Sequence, residues 1–327
     1  MLLEQDAPHV SASTADPAFR ADVLRGFSDT ARRAIPARWF YDRHGSELFE
    51  RITALPEYYP TRIETALLAA HCGEVGEIAR PGRAVVEFGS GSSVKTPHLL
   101  NAVAPAAYVP IDISGDFLRE SSAALAAQFP DLPIAPVEAD FMHPIALPAS
   151  VASLPKLGFF PGSTIGNMVA QTSVDLLRTM RRSLGVDSLL LIGMDRVKGE
   201  DILVPAYDDA QGVTAAFNLN LLHRINRELE GTIPVDAFRH KAIWNDLHAR
   251  IEMHLVAMRA VDFTIEGQPF FMAAGETIHT ENSHKYGARD ARLLLRAGGW
   301  TPVREWTDAD GMFALILATA QPERSAP

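Results

Sequence analysis

Cysteine is nearly missing from this sequence. Cys72 is the only one in 327 residues, which excludes an intrachain disulfide and any thiolate-rich metal centre. His71 beside it does not make a metal pair, because chain neighbours rarely aim at one ion, and the two read as part of a helical core. No apolar run approaches the ~18 residues of a membrane helix, so no bilayer span is expected. Basic residues are in deficit: 30 Lys and Arg against 40 Asp and Glu give a net charge of -10, which repels phosphate backbones and excludes nucleic acid as the expected substrate. The opening segment, with Glu4, Asp6 and Asp16, lacks the basic start and apolar stretch of a secretory signal, so a cytoplasmic location is expected.

What is present is a globular composition, 47% hydrophobic and 21% charged, in a chain long enough for one enlarged domain or two sharing a framework. From about residue 61, helical and extended patterns alternate, as they do in a parallel sheet with crossover helices. Short apolar runs at Ala84 to Phe88, Ala107 to Ile113, Pro133 to Ala139, Leu157 to Phe160 and Ser188 to Met194 suit buried parallel strands. Before the last of them, Thr172 with Asp175 three residues on opens a helix that Gly185 closes, with Leu176, Leu177, Met180 and Leu184 as its buried stripe. Trp300 to Trp306 and Met312 to Thr319, separated by a turn ending in Gly311, read as an antiparallel hairpin. The expected fold class is α/β, a Rossmann-like sheet of parallel strands closed by a C-terminal antiparallel hairpin.

Residues 197 to 286 break the alternation. A helix with Phe217, Leu221, Ile225 and Leu229 spaced by four runs to Gly231, and two extended runs flank Ile265 to Gln268. This is the pattern of an inserted α+β substrate domain, with the aromatic and charged segment 19–60 packed against it. The expected division is 61–196 with 287–327, then 19–60 with 197–286, and an N-terminal extension over 1–18.

Ala84 to Gly91 reads AVVEFGSG, an apolar strand running into a glycine turn where backbone amides can approach a ligand. Three ligand classes compete for such a turn. A dinucleotide fold and a phosphate loop both want a glycine where Val94 stands. A nucleoside site gains from the strand ends that follow. Asp112 is placed to accept from two ribose hydroxyls, while Asp140 and Phe141 can receive an adenine amino group and cover its ring. Either aspartate alone could equally cap a helix; together, at successive strand ends, they favour the nucleoside of S-adenosylmethionine.

Five separated segments, YDRHGSELFERITALPEYYPTR (Tyr41 to Arg62), EFGSGSSVKT (Glu87 to Thr96), PGSTIGN (Pro161 to Asn167), AYDDAQGVTAAFN (Ala206 to Asn218) and IHTENSHKY (Ile278 to Tyr286), carry a further signal. In this order they make the chain resemble the histidine Nα-methyltransferases that form hercynine in ergothioneine biosynthesis, with a class I methyltransferase sheet. The resemblance implies S-adenosylmethionine as donor, S-adenosylhomocysteine as product and L-histidine as the small-molecule substrate. It implies cofactor contacts at Tyr41, Gly89, Lys95, Asp112, Asp140 and Phe141, and histidine contacts at Tyr58, Gly162, Asn167, Tyr207, Met253, Glu281 and Ser283. No metal ligand set is implied, and a monomer is expected.

These residue types suit that substrate. Tyr207 and Asn167 can donate to a carboxylate, and Asn167 or the Gly162 region can orient an amine. Glu281 and Ser283, two apart and so on one side of an extended segment, can hold two imidazole nitrogens. A carboxylate in that place rejects purely apolar rings, which would leave it buried and unpaired. Tyr58 and Asn167 are the expected catalytic pair, with water or Tyr58 assisting loss of a proton from an α-amine whose pKa is roughly 8. Asp208 and Asp209 read as caps or solvated charges, and His279 and His284 lack the further ligands of a metal site. The competing functions are methylation of another amino acid or small amine, a noncatalytic nucleoside sensor, and a nicotinamide oxidoreductase.

Overall fold

The apolar runs become strands of one sheet because each is bounded by residues that end it and all but the third, at the sheet edge, are buried on both faces. In the computed structural model, which describes residues 16–322, β1 (Ala84–Phe88), β2 (Ala107–Asp112), β3 (Val137–Glu138), β4 (Lys156–Phe160) and β5 (Leu189–Asp195) are parallel. Most of the expected 1–18 extension lies outside the described residues; its last two residues already belong to the first helix, α1 (Pro17–Ser28). No helix among the described residues is long and apolar enough to cross a membrane.

Helix α3 (Tyr59–Ala79) leads into β1, and two crossover helices follow: α4 (Thr96–Val103) joins β1 to β2, and α5 (Gly115–Gln128) joins β2 to β3. They follow α2 (Arg43–Thr53), which Asp42 caps through its bond from the Gly45 amide. The third strand is much shorter than the expected Pro133 to Ala139. Pro133 and Pro136 cannot donate to a ladder, so this edge strand pairs regularly only at Val137 and Glu138, with one isolated bridge at Ile134.

Helix α6 (Ala170–Leu184) starts two residues before the expected Thr172 cap, and its N-cap position is Val169. Thr172 therefore lies inside the first turn, and the Ser173 hydroxyl sits 3.3 to 3.4 Å from the Ile165, Met168 and Val169 carbonyls with one proton to donate among them. Its buried stripe of Leu176, Leu177, Met180 and Leu184 is as read from the sequence.

After β5 the chain leaves the sheet through α7 (Glu200–Leu203) and α8 (Val213–Glu228). Asp209 caps α8 by accepting from the Val213 and Thr214 amides. Next come β6 (Phe238–Asn245), β7 (Arg250–Ala257), β8 (Val261–Ile265), β9 (Gln268–Met272) and β10 (Thr277–His284). The runs flanking Ile265 to Gln268 form the β8–β9 hairpin, turned by Glu266 and Gly267 at positive φ. A second sheet, ordered β10-β7-β6, was not expected from the sequence. The chain returns through α9 (Ala288–Ala297) to β11 (Trp300–Thr307) and β12 (Phe313–Ala320).

The main sheet has seven strands in the order β11-β12-β5-β4-β1-β2-β3, with β12 antiparallel to both β5 and β11. This is the class I methyltransferase arrangement. One apolar cluster packs α6 and α9 on one sheet face, and another packs α3 and α4 on the other. A third, built from α1, α2, α8 and β6 to β10, is a separate core. The order reverses beside β1, so the C-terminal ends of β1, β2 and β4 open on a crevice. Residues 34 to 60 and β10 roof that crevice.

Candidate active site

The crevice is a cavity of about 940 Å³. Its floor is the glycine turn after β1, where Gly89 and Gly91 have φ of 73° and 49°. A side chain at Gly89 would put its Cβ 3.3 Å from the Phe141 ring, so the glycine lets that ring close against the turn. The Gly91 amide donates to Asp112 Oδ2 at 2.9 Å and the Ser114 amide to Oδ1 at 2.9 Å, which fixes the carboxylate and leaves each oxygen a lone pair. Ser90 Oγ is buried on the same wall and has no partner among the described residues. A turn that excludes Cβ atoms, a fixed two-oxygen acceptor and an unspent hydroxyl fit the nucleoside of S-adenosylmethionine.

The other expected cofactor residues line the cavity too, with commitments of their own. Asp140 accepts from the Met142 amide at 2.9 Å and from Arg38 at 3.1 Å. Arg38 also donates to Asp22 at 2.7 Å, so the segment before α2 is tied to the Asp140 end of the crevice. Lys95 is an ion-pair partner of the fully buried Glu64, whose carboxylate also accepts from the Gly162 amide at 2.8 Å. Glu64 thus joins the glycine turn to the loop after β4.

Tyr58, Gly162, Asn167 and Glu281 share the cavity with Tyr41. Four of their groups are unspent: among the described residues, neither the Tyr41 and Tyr58 hydroxyls, nor the Asn167 amide, nor the Glu281 carboxylate bonds to another protein group. Gly162 differs, since its N–H is committed to Glu64 and only its carbonyl remains for a ligand. Tyr207, Met253 and Ser283 do not line the cavity. They stand behind its wall: the Tyr207 ring lies edge-on to Tyr58 with centroids 6.0 Å apart, Met253 pairs with Glu281 across β7 and β10, and Ser283 Oγ is 2.7 Å from the Tyr207 hydroxyl.

A bulge aims Glu281. His279 lies opposite His254 and Glu281 opposite Met253, so the extra residue, Thr280, turns the strand and puts Glu281 on the other face from His279. Glu281 and Ser283 keep the shared side expected of residues two apart. His279 forms a cluster with Glu252 and His254, but Glu252 is already bound by Arg250 and Asn245.

Burial pushes the Tyr58 phenol up, reinforced by Tyr207 and Glu281, and burial then Glu281 push Tyr41 up. Both remain neutral hydroxyls, so Tyr58 can relay a proton but not hold a phenolate. Burial raises Glu281 to about 7 against the opposing charge of Lys285. Burial likewise raises Glu87 to about 7, although Tyr108 and Thr96 donate to it.

A carboxyl whose pKa is raised in the folded state binds its proton more tightly there than in the unfolded chain. Its stabilisation is full below the unfolded value of ~4.3 and is lost as pH rises through about 7. The unliganded Glu281→Gln variant is therefore expected to gain stability over the parent as pH goes from 5 to 7, at roughly 1.4 kcal/mol per unit at most. Thermal unfolding of both proteins across that range checks this, and parallel curves would refute it.

Sequence reasoning missed Glu64, Arg38, Asp195 and Lys285. Glu64 had a signal, a carboxylate in the stripe Pro60, Leu67, Leu68, Cys72 and Val75 that buries one face of α3. Asp195 had another, an acidic residue at the end of β5 like those ending β2 and following β3.

A family model for S-adenosylmethionine-dependent, histidine-specific methyltransferases matches residues 19–320. The histidine N-alpha-methyltransferase of Mycolicibacterium smegmatis is 40% identical over 324 residues, covering 95% of this chain and 98% of that one. The Mycobacterium tuberculosis protein of the same name is 39% identical over the same shares. Ergothioneine biosynthesis protein 1 of Neurospora crassa is 27% identical over 302 residues, which is 88% of this chain and 33% of that longer protein. A match of this extent, on a cavity built for a nucleoside and a small polar partner, means that the chain belongs to the S-adenosylmethionine-dependent, histidine-specific methyltransferases.

Proposed function

We propose that the enzyme methylates the α-amino group of free L-histidine three times, forming hercynine, the first step of ergothioneine biosynthesis. The observation that carries this reading is the set of three unspent polar groups, Tyr58, Asn167 and Glu281, facing one cavity beside Tyr41 and the glycine-turn floor. A zwitterionic amino acid with a polar ring needs several separate partners, and these supply them.

When bound, S-adenosylmethionine supplies a methyl group that is already electrophilic on its sulfonium. Asp112, Asp140, Phe141, Gly89, Lys95 and Tyr41 are the residues proposed to hold it. Asn167 and Tyr58 orient the amine, Glu281 receives an imidazole N–H, and Tyr207, Ser283 and Met253 act from behind the wall. Alignment of an amine lone pair with a reacting methyl is worth on the order of 7 to 11 kcal/mol, so the chain's main task is to hold the nitrogen still. The nitrogen must also be neutral, and its proton can leave through water or along the Tyr58 hydroxyl. The domain division 19–60 with 197–286 against 61–196 with 287–327 is proposed on the separate core of the former.

The test is a methylation assay across the twenty amino acids, read by mass. Histidine alone should gain three methyl groups. A product stopping at one methyl would overturn the threefold transfer. Preference for another amino acid, or tight donor binding without turnover, would overturn the substrate or the catalytic reading respectively.

A further inference from the structure

Lys285 follows β10 and is fully buried, with a side chain that is 0% exposed. A buried ammonium needs all three of its N–H donors satisfied. Lys285 Nζ donates to Asp195 Oδ2 at 2.7 Å, to the Tyr207 hydroxyl at 2.8 Å and to Ser283 Oγ at 2.8 Å. Its donors are then exhausted. Asp195 does not depend on Lys285 alone, because Lys198 and the Tyr59 hydroxyl also donate to it.

The two hydroxyls are 2.7 Å apart and share one hydrogen bond. Each has a single proton and each already accepts from Lys285, so neither proton can be directed back at the ammonium. One of the two protons is consumed between them. The other is the only one the pair can donate outside itself. An assignment in which Tyr207 donates to the substrate carboxylate while Ser283 donates to its imidazole asks for two outgoing protons, and the pair has one.

We propose that Lys285 is a positioning residue for the substrate, locking Tyr207 and Ser283 into one hydrogen-bonded unit that backs the Tyr58 and Glu281 wall of the cavity. This rests on the histidine reading above. The same ammonium is the charge that opposes the upward shift of the Glu281 carboxyl, so it influences the ring-binding residue as well. A hydroxyl that accepts from an ammonium is also a stronger donor, which tightens the Tyr207–Ser283 bond behind the wall.

The experiment is calorimetric titration of histidine into the enzyme saturated with S-adenosylhomocysteine, for the parent, Lys285→Met, Tyr207→Phe, Ser283→Ala and the Tyr207→Phe/Ser283→Ala double variant. Lys285→Met should weaken histidine by about 10-fold or more while the Kd of S-adenosylhomocysteine stays within about twofold. At least one single hydroxyl variant should weaken histidine by about 10-fold, and the double variant should be no weaker than the worse single by more than about twofold. Losses that multiply in the double variant would show two independent contributions and overturn the proposal. So would wild-type binding in Lys285→Met, or in both single variants. If Lys285→Met does not fold, the hydroxyl cycle decides alone. Failure of the histidine reading is separate and visible at once, as a parent enzyme that does not bind histidine.

Discussion

Glu281→Leu is expected to lower kcat/KM for histidine by on the order of 10²- to 10³-fold while leaving the Kd of S-adenosylhomocysteine unchanged. The carboxylate has no protein partner among the described residues and faces the cavity only because the bulge at Thr280 turns it there. An apolar replacement removes the acceptor for an imidazole N–H and leaves that donor unpaired in a buried place, which costs more than the bond alone. It also removes the reason apolar rings are rejected. Turnover of phenylalanine relative to histidine should therefore rise, and steady-state kinetics with both amino acids measures it. Equal loss for both would mean that Glu281 shapes the cavity without reading the ring.

The pH profile provides a second view of the same residue. Glu281 accepts best as a carboxylate, above about 7, and the amine must lose its proton, with a pKa of roughly 8. Both requirements are met by raising pH. The acid limb of kcat/KM for the parent should approach a slope of two, and Glu281→Gln should reduce it to one. An unchanged limb in Glu281→Gln would remove Glu281 from the titration.

The parts of the fold legible in the sequence were those set by local pattern. β1, β4 and β5 are mainly apolar runs, and α6 shows its stripe plainly, so these elements fall within two residues of where their residues place them. What stayed hidden depends on partners far along the chain. In β6, Phe238, His240 and Ala242 alternate with Arg239 and Lys241, yet the pairing that makes a sheet of them comes from β7 and β10. The site divides similarly. Strand-end aspartates advertise a nucleoside floor, because topology places such ends together in any sheet of this kind. No spacing rule foretells that Arg38 reaches Asp140 or that Glu64 joins Lys95 to Gly162. The rule that residues two apart share a side holds for Glu281 and Ser283, but it is silent on Ser283 spending its hydroxyl on Tyr207 and Lys285.

Asn167→Ala is expected to lower kcat for the first methyl transfer by about 10²-fold, since misplacing a reacting atom by about 1 Å costs that much. The turn carrying Asn167 is held from several sides. His284 Nδ1 pairs with the Gly166 carbonyl at 2.8 Å, the Tyr286 hydroxyl donates to the Ile165 carbonyl at 3.3 Å, and a Cβ at Gly166 would meet the His284 backbone at 2.8 Å. A rigid turn presenting an uncommitted amide is suited to fixing a nitrogen. If Asn167 does so by accepting an N–H, its contribution must fade as methyl groups replace those hydrogens. The dimethylated amine, once neutral, has none to donate, so N,N-dimethylhistidine should lose much less than histidine does in the same variant. Single-turnover rates for histidine and for its mono- and dimethylated forms separate the cases. A loss that is equal at all three stages would place Asn167 on the carboxylate, which stays the same through every transfer, and would leave Tyr58 to orient the amine.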